Sequence, residues 1–364
     1  MKILVYIGHP AQYHFFKYAL SILKRHGHSV QILIKTKDIL ENLLEEDGVV
    51  YKNIQCHIRG NNKISILLAS FRRTLAVYSE AKKFHADILV GTDASIAQAA
   101  FLLRKPAVTT LEDDVEIIKN LAQLTYPFTS SILVPSVCRV GKWGKKKVPY
   151  YGYMKLAYLH PKYFTPNEAI VSAYGIEEKF ILIRLAKLTA HHDVGVKGLS
   201  IQLVKNIISI AYNHDYKVFI SSEKPLEDSL QKYRLQIRHT DIHHIMSFAS
   251  LLISDSQSMS VEAAMLGIPS LRFSDFSGRI SVLEELERKY HLTLGINTME
   301  SGKLLYETER LLSNPELHNE YRLYRQQMLK DKIDVTSFLS WFIENYPQSA
   351  QIIKANPDYQ YKFQ

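Results

Sequence analysis

The sequence predicts an α/β fold built as two doubly wound domains, and three observations carry that prediction. A short apolar segment, Lys2 to Ile7, leads through a loop into a helical pattern and then into a second apolar segment, Ser29 to Ile34. The same strand, loop, helix, strand order restarts at Lys179 to Ile183, with a helix over roughly Ser200 to His214 and a strand at Lys217 to Ser221. The 364 residues, 46% of them hydrophobic, suffice for two buried cores rather than one.

Charged residues at 22% and aromatics at 11% exclude a disordered chain. A formal net charge of +9 favours anionic partners: nucleotides, anionic lipid surfaces or nucleic acid. Nucleic acid is not expected, because no recognised binding module accompanies the basic balance. The two cysteines, Cys56 and Cys138, cannot build a disulfide framework and fit a reducing cytosol. Met1-Lys2 runs directly into a strand, so no leader is expected. No apolar run approaches the roughly 18 residues that span a bilayer. These readings point to a cytoplasmic protein, with peripheral contact at the inner face of the membrane as an open addition.

Along the first half, the loop Gly8-His9-Pro10-Ala11-Gln12 follows the opening strand, and a helix is expected from about Tyr13 to Arg25, stopped at Gly27. The loop lacks G-x-G-x-x-G, so no dinucleotide cofactor is indicated. His9 and His14 fall at the carboxyl end of the first strand, where open α/β sheets place ligands; two surface histidines at a helix start is the plainer reading. A short helix at Lys37 to Glu46 and a strand at Val49 to Cys56 follow. Residues 63–84 read as an amphipathic helix with Ile66, Leu67, Leu68, Phe71, Leu75 and Tyr78 facing a core, or else a membrane or acceptor. Strands at Ala86 to Val90 and Pro106 to Thr110 end in Asp93 and in Glu112-Asp113-Asp114. Carboxylates gathered at strand ends suit general acid/base work, and equally suit helix N-capping. A metal held by the acidic trio is a weaker option.

A strand at Ser131 to Pro135 precedes Arg139 to Lys147, where Lys142, Lys145, Lys146 and Lys147 surround Trp143. This is a solvated loop or a site of attraction to anionic lipid head groups. Residues 149–168, with Pro149, Pro161 and Pro166, are expected to form the interdomain hinge. In the second half, Arg184 ends its strand and His191-His192-Asp193 follow. Adjacent histidines are poorly spaced for one metal, and an imidazole near a diphosphate or a sugar hydroxyl fits better. A helix over Ile242 to Ala249, started by Asp241, leads to the most informative stretch, 251–273. There an apolar strand, Leu251 to Ile253, runs into Ser254-Asp255-Ser256-Gln257-Ser258. A helix over Val261 to Leu266 is stopped by Gly267 and Pro269. Hydroxyls, backbone N–H groups and a helix N-terminus converge at that turn, a site for phosphate or diphosphate. If Ser258 is the N-cap, Glu262 comes too late for a capping box and is available to a ribose diol.

Several motifs together resemble a GT-B-like family of archaea and bacteria, within the GT-B glycosyltransferase superfamily that also holds the non-hydrolysing UDP-N-acetylglucosamine 2-epimerases. They are Gly8-His9-Pro10 with His14-Phe15-Phe16, Leu185 to Gly195, Asp255-Ser256-Gln257-Ser258-Met259 with Glu262-Ala263-Ala264, and Trp341-Phe342-Ile343-Glu344-Asn345-Tyr346-Pro347. The resemblance implies GT-B architecture, two Rossmann-like domains facing a cleft. Residues 1–155 would be the acceptor side and 156–336 the nucleotide-sugar side, with a helix and tail, 337–364, crossing back to the first domain. It implies that Ser256 and Ser258 hold the diphosphate, that Glu262 holds the ribose and that Arg184 contacts phosphate, with Gly8, His9 and Asp255 completing the substrate-binding set. Asp93, Glu112 and His191 or His192 occupy places similar to epimerase acid/base groups. The epimerase Asp-Ser-Gly-Gly turn is Asp255-Ser256-Gln257-Ser258 here, and Thr125 to Ser131 has no counterpart of their second glutamate.

The expected activity is metal-independent and cofactor-free glycosyl transfer from a nucleotide sugar to a sugar or lipid-linked glycan acceptor, in surface polysaccharide or glycolipid biosynthesis. Asp93 or His14 would be the base. The alternatives are a sugar 2-epimerase and a non-catalytic nucleotide-sugar binding protein.

Overall fold

The computed structural model describes residues 1–36, 39–55, 63–186, 198–222 and 225–364, with side chains from residue 68 onward in the helix that begins at Lys63. The chain forms two units, Met1–Tyr158 with Lys332–Gln364, and Leu159–Asp331. The division falls at 158/159 and 331/332, against the expected 155 and 336.

The first unit holds β1 (Lys2–Ile7), β2 (Ser29–Ile34), β3 (Lys52–Asn53), β4 (Ile88–Gly91), β5 (Ala107–Thr110), β6 (Ser131–Pro135) and β7 (Lys147–Tyr150) in one parallel sheet, ordered β3-β2-β1-β4-β5-β6-β7. Strands β4, β5 and β6 are buried along their whole length, which is why they read as unbroken apolar or small-residue runs rather than alternating ones. The helix Pro10–Arg25 starts three residues before the expected Tyr13. Proline is preorganised for a first helical position, and His9 serves as N-cap. Strand β3 is two residues long instead of spanning Val49 to Cys56: Val50 faces solvent, and Cys56 lies outside the described residues. Pro149 belongs to edge strand β7, where a missing N–H costs no ladder bond, so it is not part of a hinge. The C-terminal helix Val335–Glu344 packs on the helix Pro10–Arg25, and Glu344 accepts from His28 at 3.0 Å and His26 at 3.2 Å.

Two expectations about surfaces hold only in part: Tyr78 packs on the core, and Lys142 and Lys145 are solvated. The helix Lys63–Phe84 buries Arg73, Thr74, Val77, Glu80 and Ala81, while Leu68, Phe71 and Leu75 face solvent. Ile66 and Leu67 fall where side chains lie outside the described residues. The basic run around Trp143 is largely structural. Lys146 Nζ donates to the carbonyls of Tyr126 and Pro127 at 2.9 Å, and Lys147 Nζ to those of Ser136 and Cys138 at 2.9 and 2.6 Å. Burial pulls both ammonium groups below their ordinary value.

The second unit holds β8 (Phe180–Leu185), β9 (Lys217–Ser222), β10 (Leu251–Ser254), β11 (Ser270–Phe273) and β12 (Leu294–Ile296), again all parallel, ordered β12-β11-β10-β8-β9. Ile183 pairs with Ile220 on one side and Ile253 on the other. The helix Gln257–Leu266 begins four residues before the expected Val261. It ends where Gly267 takes a left-handed φ of +76°, with Arg325 so close that a Cβ there would lie 2.9 Å from its Cδ. Among the described residues, no helix is long and apolar enough to cross a membrane.

Candidate functional site

In an open parallel sheet, ligands gather beyond the carboxyl ends of the strands where the strand order reverses, because the helices on either side diverge there. The first sheet reverses between β1 and β4, and the second between β8 and β10. Gly8, His9 and Asp93 follow the strands at the first reversal. Arg184, Asp255, Ser256 and Ser258 lie at the second.

At the second reversal, Ser256 is the N-cap of the helix Gln257–Leu266, its Oγ accepting from Met259 N at 3.4 Å. Ser256, not Ser258, therefore starts the helix, and Ser258 sits in its first turn. First-turn N–H groups have no intrahelical acceptor. With Met259 N capped, those of Gln257 and Ser258 point past the helix end together with the positive end of the dipole. The Gln257 side chain does not obstruct that mouth. It is drawn back to β11, accepting from Arg272 Nη1 at 2.8 Å and donating to Ser274 Oγ at 2.6 Å. Arg272 is fully buried, and desolvation lowers the pKa of its guanidinium. Arg184, half-buried at the end of β8, donates from Nη1 to Ser221 Oγ at 2.7 Å, which fixes its guanidinium over the β8 and β9 ends.

One turn into the helix, Glu262 shares a face with Ser258. Its Oε1 lies 3.6 Å from Nε2 of His243, both side chains are buried, and the His243 ring meets Phe164 edge-on. This pairing escaped sequence reasoning. His243 sits 19 positions earlier, on the helix Ile242–Phe248, and only the packing of the two helices flanking β10 joins them. Asp255 departs from its expected substrate-binding role. Oδ1 accepts from Ala186 N at 2.7 Å and Oδ2 from Leu199 N at 3.4 Å, so the carboxylate clasps the chain on both sides of 187–197. Burial raises its pKa, against the pull of those two N–H groups and of Arg184.

The first reversal is arranged differently. Gly8 N donates to Gln12 Oε1 at 2.8 Å, and His9 Nδ1 accepts from Ala11 N at 3.2 Å, so His9 is occupied as a helix cap. His14, half-buried in the first turns of the same helix, stacks on Tyr158 with ring centroids 5.1 Å apart. Asp93 caps the helix Ala94–Leu103: Oδ1 accepts from Ser95 N at 2.9 Å, Ser95 Oγ at 2.7 Å and Arg73 Nε at 3.2 Å. Burial opposes its ionisation, but Arg73, Lys35 and the Ser95 donors outweigh that and hold the carboxyl below its ordinary value. A carboxylate so stabilised is a poor base, which corrects its assignment as one. Glu112 is likewise engaged, Oε1 with Met154 N at 2.6 Å and Oε2 with Lys155 Nζ at 2.7 Å, and that corrects its placement as a free acid/base group. Asp114, fully buried, accepts from Arg139 N at 2.7 Å instead of capping a helix through its side chain. His191 and His192 lie outside the described residues.

No protein-family model and no curated protein sequence matches this chain. Solved structures do. A UDP-GlcNAc 2-epimerase from Methanocaldococcus jannaschii superposes with a TM-score of 0.65 at 14% identity, covering 90% of this chain and 100% of that one. The UDP-GlcNAc 2-epimerase from Neisseria meningitidis bound to UDP-GlcNAc gives 0.60 at 15% identity, with 91% and 100% coverage. The spinosyn forosaminyltransferase SpnP gives 0.60 at 13% identity, with 96% and 99% coverage. At such identities the likeness is one of fold. The fold is the GT-B type that glycosyltransferases and UDP-GlcNAc 2-epimerases have in common.

Proposed function

We propose that this chain is a nucleotide-sugar-dependent glycosyltransferase of the GT-B type, its donor bound by the second unit. The observation that carries the reading is the mouth of the helix Gln257–Leu266. The first-turn N–H groups and the Ser258 hydroxyl lie at the β8/β10 reversal with Arg184, and Glu262 stands one turn further in. Diphosphate oxygens match the N–H groups and the guanidinium, and a ribose diol matches the carboxylate. In the transfer, an acceptor hydroxyl attacks the anomeric carbon and a carbon–oxygen bond forms. The bond to the phosphate oxygen breaks, and the nucleoside diphosphate leaves with the electron pair. The hydroxyl proton passes to a base; Asp93 is poorly suited to that role, because Arg73 already stabilises its charge. Hydrogen bonds and positive charge at the helix mouth would stabilise the departing diphosphate. The acceptor class that fits is a sugar or lipid-linked glycan.

The epimerases among the structural neighbours make sugar 2-epimerisation the second reading. The pairing of Glu112 with Lys155 weighs against it, because elimination and re-addition require acid/base groups free to exchange protons. The test is a thermal-shift and calorimetric panel of UDP, GDP, CMP and dTDP sugars, followed by NMR of the bound donor without acceptor. A nucleotide-dependent rise in melting temperature that Glu262→Ala reduces is expected, because a ligand selective for the folded state stabilises it. Solvent exchange at sugar C2 would sink transfer in favour of epimerisation, and no response to any nucleotide would sink both.

A further inference from the structure

We propose that the surface formed by the helices Lys63–Phe84, Ala94–Leu103 and Lys119–Thr125 docks the protein on an anionic lipid bilayer. Side-chain bonds tie the three helices side by side: Thr74 Oγ1 donates to Gln98 Oε1 at 2.9 Å, and Gln98 Nε2 donates to the Leu124 carbonyl at 3.1 Å. The first helix buries Val77 and Ala81 together with Arg73, Thr74 and Glu80, and a second apolar set, Leu68, Phe71 and Leu75, points outward. Phe101 and Leu102 on the second helix and Leu124 on the third are also exposed, and these six side chains are 46–62% exposed. Large apolar groups gathered on three adjoining helices mark an interaction surface rather than scattered surface residues.

The charges select the occupant. Arg72, Lys82 and Lys83 are exposed on the first helix, Arg104 and Lys105 just beyond the second, and Lys119 at the start of the third. The only acidic residue in the three helices is Glu80, which is buried and paired with Lys52 at 2.7 Å. The nearest exposed acids, Asp87 and Glu116, lie outside the helices and are engaged by Lys2 N–H and Arg139. A second copy of this chain would bring the same positive charge and be repelled. Protein interfaces are depleted of lysine at their cores, whereas leucine and phenylalanine interleaved with lysine and arginine suit insertion at the boundary of an anionic bilayer. The basic run around Trp143 is a weaker candidate, since Lys146 and Lys147 are committed to backbone carbonyls.

Co-sedimentation with vesicles tests this without nucleotide, so its outcome is independent of the donor-site reading. The full chain is expected to bind vesicles of equal parts phosphatidylglycerol and phosphatidylcholine about tenfold more tightly than pure phosphatidylcholine. The triple variant Leu68→Ser, Phe71→Ser, Leu75→Ser should lose about tenfold or more of that binding with an unchanged melting temperature. Should the triple variant fold poorly, Arg72→Glu with Lys82→Glu, both on solvent-facing positions, is expected to show the same loss. Wild-type protein left in the supernatant overturns the proposal. So does binding that these variants leave intact, or binding that only Lys142→Ala with Lys145→Ala removes. A concentration-dependent dimer that Phe71→Ser dissociates, without vesicle binding, reassigns the surface to self-association and likewise overturns it.

Discussion

The two strand-order reversals place similar residue types at similar positions and use them in opposite ways. In the first unit the strand-end carboxylates turn inward, Asp93 at the reversal to Arg73 and Ser95, and beyond β5 Glu112 to Lys155 and Met154 N and Asp114 to Arg139. At the second, the one strand-end carboxylate, Asp255, clasps neighbouring backbone, and the polar donors of the helix mouth are left facing outward. An acid at a strand end is therefore not a functional signal until its partners are known.

The sharpest way to break this comparison is to remove one carboxylate from each unit. Glu112→Ala strands the buried Lys155 ammonium and the Met154 N–H, and should cost about 3 kcal/mol of stability by denaturant titration. A loss below about 1 kcal/mol would mean that Glu112 is not structural. Glu262→Ala should weaken nucleotide-sugar affinity about tenfold by calorimetry, besides any stability lost with its buried contact to His243. Equal affinities would show that the ribose is bound elsewhere.

The pH dependence of stability should carry opposite signs at the two reversals. Asp93 has a folded pKa below its ordinary value of 3.8, so its stabilisation is present above 3.8 and is lost as pH falls through the folded value. Asp255 has a folded pKa above 3.8, so the folded state gains in acid, and that gain is lost as pH rises from 3.8 through the raised value. Melting temperatures across this range should show Asp93→Asn lowering stability chiefly above pH 3.8. Asp255→Asn, which keeps an acceptor for Ala186 N and cannot ionise, should flatten the opposing slope. Like signs for the two variants would contradict these environments. Smaller effects are expected where no charge is involved: Ser256→Ala, at the second reversal, should cost about 1 kcal/mol as a lost helix cap. Lys142→Ala, at the surface, should stay within about 0.5 kcal/mol.

Much of the fold was legible because its determinants are local. Runs such as Ile3 to Ile7 and Leu251 to Ile253 announce buried parallel strands, Gly267 announces a helix stop, and the repeat of the opening pattern at Lys179 announces a second sheet. Helix starts were less legible, because Pro10 and Ser256 begin helices through polar segments whose hydrophobic periodicity is weak. Sequence order alone also put Gly8, Asp93 and Arg184 at the carboxyl ends of strands, since each ends an apolar run or follows it within a few residues.

What only the tertiary structure decided was the partner of each polar side chain. Asp93 meets Arg73 from 20 residues before it, Glu112 meets Lys155 from 43 residues after it, and Gln257 is turned aside by Arg272. Glu262 finds His243 across two helices, and Leu68, Phe71 and Leu75 of the helix Lys63–Phe84 point outward although Tyr78 of the same stripe packs on the core. The physical reason is one of range. Backbone periodicity and turn chemistry act over a few residues, whereas the satisfaction of a buried charge depends on which distant element packs beside it.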